Sequence, residues 1–147
     1  QLSLIAGADA AAHLRLGRAL APLRAEGVLV VGSGTAVHNL EQWRRDPQAT
    51  PDWARAFEDW LVETAAAGDA EAVAEYRTRA PQARLAHPSE EHFLPFAVAL
   101  GAGGDGAKGR LLHRGFAYGS LSMAAVAFDS AAQVHHMAGD TRDRAIP

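Results

Sequence analysis

The sequence predicts an α/β fold, with a mostly parallel or mixed central sheet flanked by helices. Three observations carry this. The run "VLVVGSG" (28–34) is fully apolar until it ends in Gly-Ser-Gly, as expected of a strand covered on both faces. It follows a helical stretch that is itself preceded by the short, partly alternating "QLSLI", so the order strand, helix, strand reads as a βαβ unit. Two more helical stretches and a strand-like C-terminal region complete the alternation.

The elements follow in order. Asp9 is a suitable N-cap for "AAAHLRLGRALAPLRAEG". Leu14, Leu16, Leu20 and Leu23 there approximate helical spacing and Gly27 is a natural C-cap. "TAVHNLEQWRRDPQATPD" is polar and punctuated by proline, a loop with room for one helical turn. "DWARAFEDWLVETAAAG" gathers Trp53, Phe57, Trp60, Leu61 and Thr64 on one helix face, closed by Gly68. "DAEAVAEYRTRAP" is a shorter helix capped by Asp69. "FAVALGAG" is apolar, "GAGGDGAKG" is a loop, and "RLLHRGFAYGSLSMAAVAFD" reads as two strands around Gly119. The remainder, polar and alanine-rich, is expected to be disordered.

Composition excludes several function classes. At 147 residues, 48% apolar and 21% charged, the chain is long enough for one domain with its own core. A net charge of −3, with no basic run interleaved with aromatics, gives no footprint for nucleic acid or an acidic membrane surface. No apolar stretch approaches the roughly 20 residues that span a bilayer, and the start lacks the basic and apolar regions of a signal peptide. The expected compartment is therefore the cytoplasm. No methionine opens the chain, so its gene is expected to begin upstream. Without cysteine, any metal must be held by His, Asp or Glu.

Two stretches carry candidate chemistry. In "VVGSGTAVHNL", His38 follows a turn of small residues at what would be the carboxyl end of a strand, where open α/β sheets bind ligands. Gly-Ser-Gly lacks the third glycine of a dinucleotide fingerprint and the Gly-Lys-Ser/Thr of a P-loop. The competing reading makes His38 a loop histidine bonded to a nearby carbonyl. In "LAHPSEEHFLP", His87 precedes a proline and is kept from helical geometry. Ser89 suits an N-cap, and Glu90 and Glu91 suit a helix N-terminus. Pro95 cannot donate to the Glu91 carbonyl, so the first turn must bend or restart, which would re-aim His92. As a metal motif this stretch is not self-sufficient, because no histidine lies at i+4 from His92. His13 and His113 read as structural, and His135 and His136 as incidental. "YGSLSMAAVAF" reads as a core strand with a bulge, or as a pocket wall contributing Ser120 or Ser122.

Taken in order, "VVGSGTAVHNL", "HPSEEHFLPFAVALGA" and "FAYGSLSMAAVAF" resemble the class III extradiol ring-cleaving dioxygenases, in the branch of DOPA dioxygenase-like proteins. The resemblance runs from Gln1 to about Phe128. Family members carry a preceding half with a His-Gly-Xaa-Pro-type motif and a further histidine, both metal ligands, and neither is in this sequence. The resemblance thus implies the C-terminal half of a catalytic domain over 1–128, with 129–147 as a tail. It implies a mononuclear Fe(II), with Zn(II) often recovered in its place, and O2-dependent opening of a catechol-type ring beside its hydroxyls. His38 matches the active-site histidine that acts as acid/base or lies at the metal. His92 matches a metal-ligand position, and Glu91 is a candidate third ligand because other branches use a glutamate. The implied partners are a catechol-type small molecule and O2, with no nucleic acid and no membrane; self-association into a homo-oligomer stays open. Two readings compete: a non-enzymatic half-domain that keeps the fold without a complete metal site, and a metal-dependent hydrolase, which would need more carboxylates near His92.

Overall fold

The structure, a computed structural model, describes residues 1–42 and 49–129. The C-terminal tail, His135 and His136, and part of "EQWRR" lie outside the described residues. Helix α1 (Ala10–Leu20) is capped by the Asp9 carboxylate, which accepts from the Ala12 N–H at 2.8 Å. The sequence expects this helix to run on to Gly27. It instead tightens into a 3-10 turn over Ala21–Glu26, because Pro22 has no N–H to offer the helical ladder. Helix α2 (Asp52–Ala67) ends on Gly68 at φ +72°. Helices α3 (Ala70–Ala74) and α4 (Tyr76–Arg79) split the expected single helix at Glu75, and α5 (Ala83–Ala86) stops before Pro88. Helix α6 is Leu94–Ala102. The chain closes with β1 (Lys108–His113), β2 (Phe116–Ala117), β3 (Leu121–Ser122) and β4 (Ala125–Asp129).

Helices and sheet together make the α/β class that the sequence predicts. The details of pairing differ from the βαβ reading. Among the described residues the paired strands are antiparallel: β1 with β4, and β2 with β3 across a hairpin turned by Tyr118 and Gly119. "QLSLI" and "VLVVGSG" are not paired strands. The sequence predicts this apolar run to be covered on both faces, yet Leu29 is 83% and Val31 73% exposed. The chain here lies against α6 on one side only, with Gly32 over the Pro95 backbone and Ala99.

The core sits where α1, α2, α3 and α6 meet. Phe57 and Leu61 from α2, Tyr76 from α4, Phe93 before α6, Val37 and Leu14 are all buried there. Tyr76 stacks on Phe93 at 3.7 Å between ring centroids. His13 is buried in α1 and fully used: its Nδ1–H donates to the Asp9 carbonyl at 2.8 Å, and its Nε2 accepts the Ile5 N–H at 3.0 Å. It is structural, as the sequence suggests.

Helices α1 and α6 cross at glycines. A Cβ on Gly17 would collide with the Val98 carbonyl, and one on Gly101 with the Leu14 carbonyl. The two backbones approach as closely as they do because neither position has a side chain. Gly101→Ala should therefore lower stability by about 1–3 kcal/mol despite alanine's better helix propensity. Denaturant unfolding of the two proteins checks this; an unchanged midpoint would show that the helices can separate at little cost.

Candidate metal and proton-transfer site

His38, Glu91 and His92 come together from two loops. His38 follows the Gly-Ser-Gly segment, and Glu91 and His92 occupy the turn between α5 and α6. One nitrogen or carboxylate oxygen from each lies within 4.8 Å of the others. The two imidazoles stack, with centroids 3.6 Å apart and planes at 10°. The meeting point is between loops rather than at the edge of a parallel sheet. His92 also lines a largely apolar cleft of about 720 Å³, together with Val30, Thr35, Phe96 and Phe128.

Each partner is held by identifiable contacts. Pro95 falls in the first turn of α6, where a missing N–H costs nothing. The helix thus restarts at Leu94, and His92 sits in the preceding turn. Ser89, expected as an N-cap, instead donates its hydroxyl to the Glu91 carboxylate at 2.8 Å. That bond and the Glu91 N–H hold the Glu91 carboxyl below its ordinary value, with the two imidazoles adding to the effect. The turn is anchored from α4. The Tyr76 hydroxyl donates to Glu90 at 2.8 Å, and the Arg77 guanidinium pairs with the same carboxylate at 3.0 Å. Burial and this bond push the Tyr76 phenol well above its usual range.

The Gly-Ser-Gly segment has a packing role that its sequence did not reveal. A Cβ on Gly34 would strike the His92 carbonyl. The bare backbone lets residues 32–35 lie against His92–Pro95, and this brings the Thr35 hydroxyl to 2.9 Å from His92 Nδ1. With Nδ1 engaged, Nε2 of His92 is the nitrogen left for a ligand. Thr35 was not singled out in the sequence; its only signal was its place directly after Gly-Ser-Gly.

The His38 loop is gripped from both sides. The Ala36 N–H donates to the Ser122 carbonyl at 3.2 Å, and the Ser122 N–H to the Val37 carbonyl at 3.3 Å. The Ser122 hydroxyl donates to the buried carboxylate of Glu58 at 2.6 Å. Glu58 also takes the Arg114 guanidinium at 2.6 Å, and Asp59 binds the same cation. Ser122 thus belongs to a buried polar tie between α2 and β3. Burial lowers the His38 pKa, and the neighbouring His92 ring lowers it further. Behind the loop sits His87, wholly buried among Phe57, Tyr76 and Phe93. Its Nε2–H donates to the Ala36 carbonyl at 2.9 Å, and its Nδ1 has no partner. Burial pushes the His87 pKa down to about 4.

Comparison with known proteins gives a consistent picture. Residues 2–129 match the sequence profile of the LigB family, described as the catalytic LigB subunit of aromatic ring-opening dioxygenase. The chain is 45% identical over 131 residues to a 4,5-DOPA dioxygenase extradiol of Portulaca grandiflora, covering 88% of this chain and 48% of that protein. It is 42% identical over 130 residues to the enzyme of the same name from Beta vulgaris, again covering 88% of this chain and 48% of the relative. The 4,5-DOPA dioxygenase extradiol of Escherichia coli K12 is 35% identical over 131 residues, covering 86% of this chain and 48% of its own length. The crystal structure of an uncharacterized Escherichia coli K12 protein superposes with a TM-score of 0.73 at 32% identity, over 84% of this chain and 52% of that one. The chain spans about half the length of the curated relatives it matches.

Two outcomes follow from this geometry. Gly34→Ala should displace His92 from Thr35 and break the imidazole stack. Loss of the ring-current-shifted imidazole signals of His38 and His92 in proton NMR would report it; unchanged signals would mean the loop moves aside without consequence. The second concerns acid. His87 binds a proton more readily unfolded, at about pH 6.5, than folded, at about 4. Stability should therefore be intact above the unfolded value and fall as pH drops between the two, by about 3 kcal/mol in all. The charged and titratable groups acting on His87 are Arg77, His38 and His92, each opposing its protonation. Urea unfolding from pH 7 to pH 4 should show this slope, and His87→Gln should flatten it.

Proposed function

Because the chain belongs to the LigB family of aromatic ring-opening dioxygenase catalytic subunits, we propose that it supplies part of a mononuclear non-heme metal site that opens a catechol-type ring with O2, in the extradiol manner. His92 and Glu91 are the proposed metal donors from this chain, and His38 is the proposed acid/base. Fe(II) is the proposed working metal, with Zn(II) able to occupy the same donors. The donor set suits such an ion: imidazole and carboxylate, no thiolate, and a His92 ring oriented by Thr35 through the nitrogen that does not ligate.

The observation that carries the division of roles is the stack of His38 on His92. An imidazole binds a metal in its own ring plane. Two rings lying face to face at 3.6 Å and 10° cannot both place one ion in their planes. With the rings face to face, His92 would hold the ion and His38 would stay beside it as a proton acceptor rather than a second imidazole ligand. When bound, Fe(II) supplies Lewis acidity toward the diol oxygens and electron exchange with O2. The chain's own residues do the rest. His38, kept neutral by burial and by its neighbour, accepts a proton from a diol hydroxyl and returns it later. The largely apolar cleft that reaches His92 offers an aromatic ring a surface to lie against.

The test separates ligand from acid/base. His92→Ala should lose metal and activity together. His38→Ala should keep its metal and lose turnover by about 10²–10⁴-fold, the usual contribution of a general acid or base. Metal analysis beside oxygen uptake on a panel of catechols reads both. If His38→Ala strips the metal as fully as His92→Ala, His38 is a ligand. If neither change alters metal or rate, both histidines are structural and the proposed site is wrong.

A further inference from the structure

We infer that His87 is a positioning residue: its imidazole N–H holds the loop Ala36–His38 where the His38 ring stacks on His92. The inference rests on the reading of His38 and His92 as the working pair. His87 is 51 positions from Ala36 in the chain, yet its Nε2 lies 2.9 Å from the Ala36 carbonyl. The neighbouring residue takes the other side of the same loop, where the Ala86 carbonyl accepts the His38 N–H at 2.9 Å. Residues 86 and 87 thus grip residues 36 and 38 as a strand would, with one difference. A strand would give the Ala36 carbonyl a backbone N–H. Here the His87 N–H is already spent on the Ala83 carbonyl at the end of α5, at 3.0 Å, and Pro88 has none. The imidazole supplies the donor that the backbone at this point lacks.

The arrangement is costly for the core. His87 Nδ1 is buried without a partner, so its desolvation goes uncompensated. An apolar side chain between Phe57, Tyr76 and Phe93 would avoid it. What the histidine gives in return is local. With Ser122 pairing to the Ala36 N–H and the Val37 carbonyl, the His87 bond leaves three successive residues before and at His38 tied down. Burial keeps the ring neutral, so its single proton stays on the nitrogen facing Ala36. The carbonyl of His87 itself accepts the Arg77 guanidinium at 2.5 Å, which joins this strut to the Glu90 anchor of the His92 turn. One buried residue therefore sets the relative position of two loops that carry the two imidazoles.

The experiment compares substitutions of similar length that differ in the donor. In metal-free 147-residue protein, His87→Gln keeps an N–H near the position of Nε2, and His87→Met fills the same volume without one. His87→Asn, whose amide is too short to reach Ala36, is a second variant without the contact. Circular dichroism and thermal melting establish that each is folded. His87→Gln should keep the ring-current-shifted imidazole signals of His38 and His92 and slow exchange of the His38 amide. His87→Met and His87→Asn should lose the shifted signals, and their His38 amide should exchange about tenfold faster, the factor that matches one ordinary hydrogen bond. A folded Met or Asn variant that keeps the stack, or a Gln variant that loses it, would overturn the inference. Failure of both Met and Asn to fold would make His87 a residue of the core alone and overturn it equally. Metal binding is read separately: a metal affinity that is the same in the unsubstituted protein and in His92→Ala counts against the proposed function and leaves the stack comparison intact.

Discussion

The close approach of two backbone segments, Gly32–Thr35 against His92–Pro95, is the constraint on which the site depends. Only glycine at 32 and 34 allows it, since a Cβ at either would strike a carbonyl of the opposite segment. Once the two segments touch, Thr35 reaches His92 Nδ1, and the chain three residues on delivers His38 onto the face of the same ring. The helix α6 that begins at Leu94 is in turn fixed by its glycine-to-glycine crossing with α1. Backbone proximity, rather than any single strong bond, sets the site.

Around that contact the polar groups form a second layer. Glu58 is an unusual resident of the apolar face of α2, wholly buried. Its charge is compensated by Arg114 and its remaining capacity by Ser122, as a buried carboxylate requires. The same Ser122 pairs through its backbone with Ala36 and Val37. On the other flank, Tyr76 and Arg77 converge on Glu90, two residues before His92. Both loops of the site are thus tied to the helical core by carboxylates that do not belong to the candidate donor set. This separation lets Glu91 stay exposed beside two imidazoles while its neighbour Glu90 serves as an anchor.

The apolar run Val28–Val31 has Val28, Leu29 and Val31 exposed and Val30 half-buried. Its chemistry is that of a covered strand, and it lies beside the cleft that reaches His92. The described helices pack against one side of it only.

The sequence by itself determined the helices with strong ends. Asp9 and Asp69 cap where expected, Gly68 closes α2, and the chain leaves helical geometry at His87 before Pro88. Local rules suffice there because the deciding groups are within four residues of one another. It also pointed to His38, Glu91 and His92 as neighbours, through three ordered motifs and a family resemblance. It did not show how "VLVVGSG" is paired, because an apolar run is the same whether one face or two are covered. Nor did it single out Thr35, Glu58 or the role of His87. Their partners are 57, 64 and 51 positions away, and no period or spacing links residues that only the folded chain brings together. Which histidine stacks on which, and which nitrogen is left free, was decided by the tertiary structure alone, because those depend on how closely two backbones can approach.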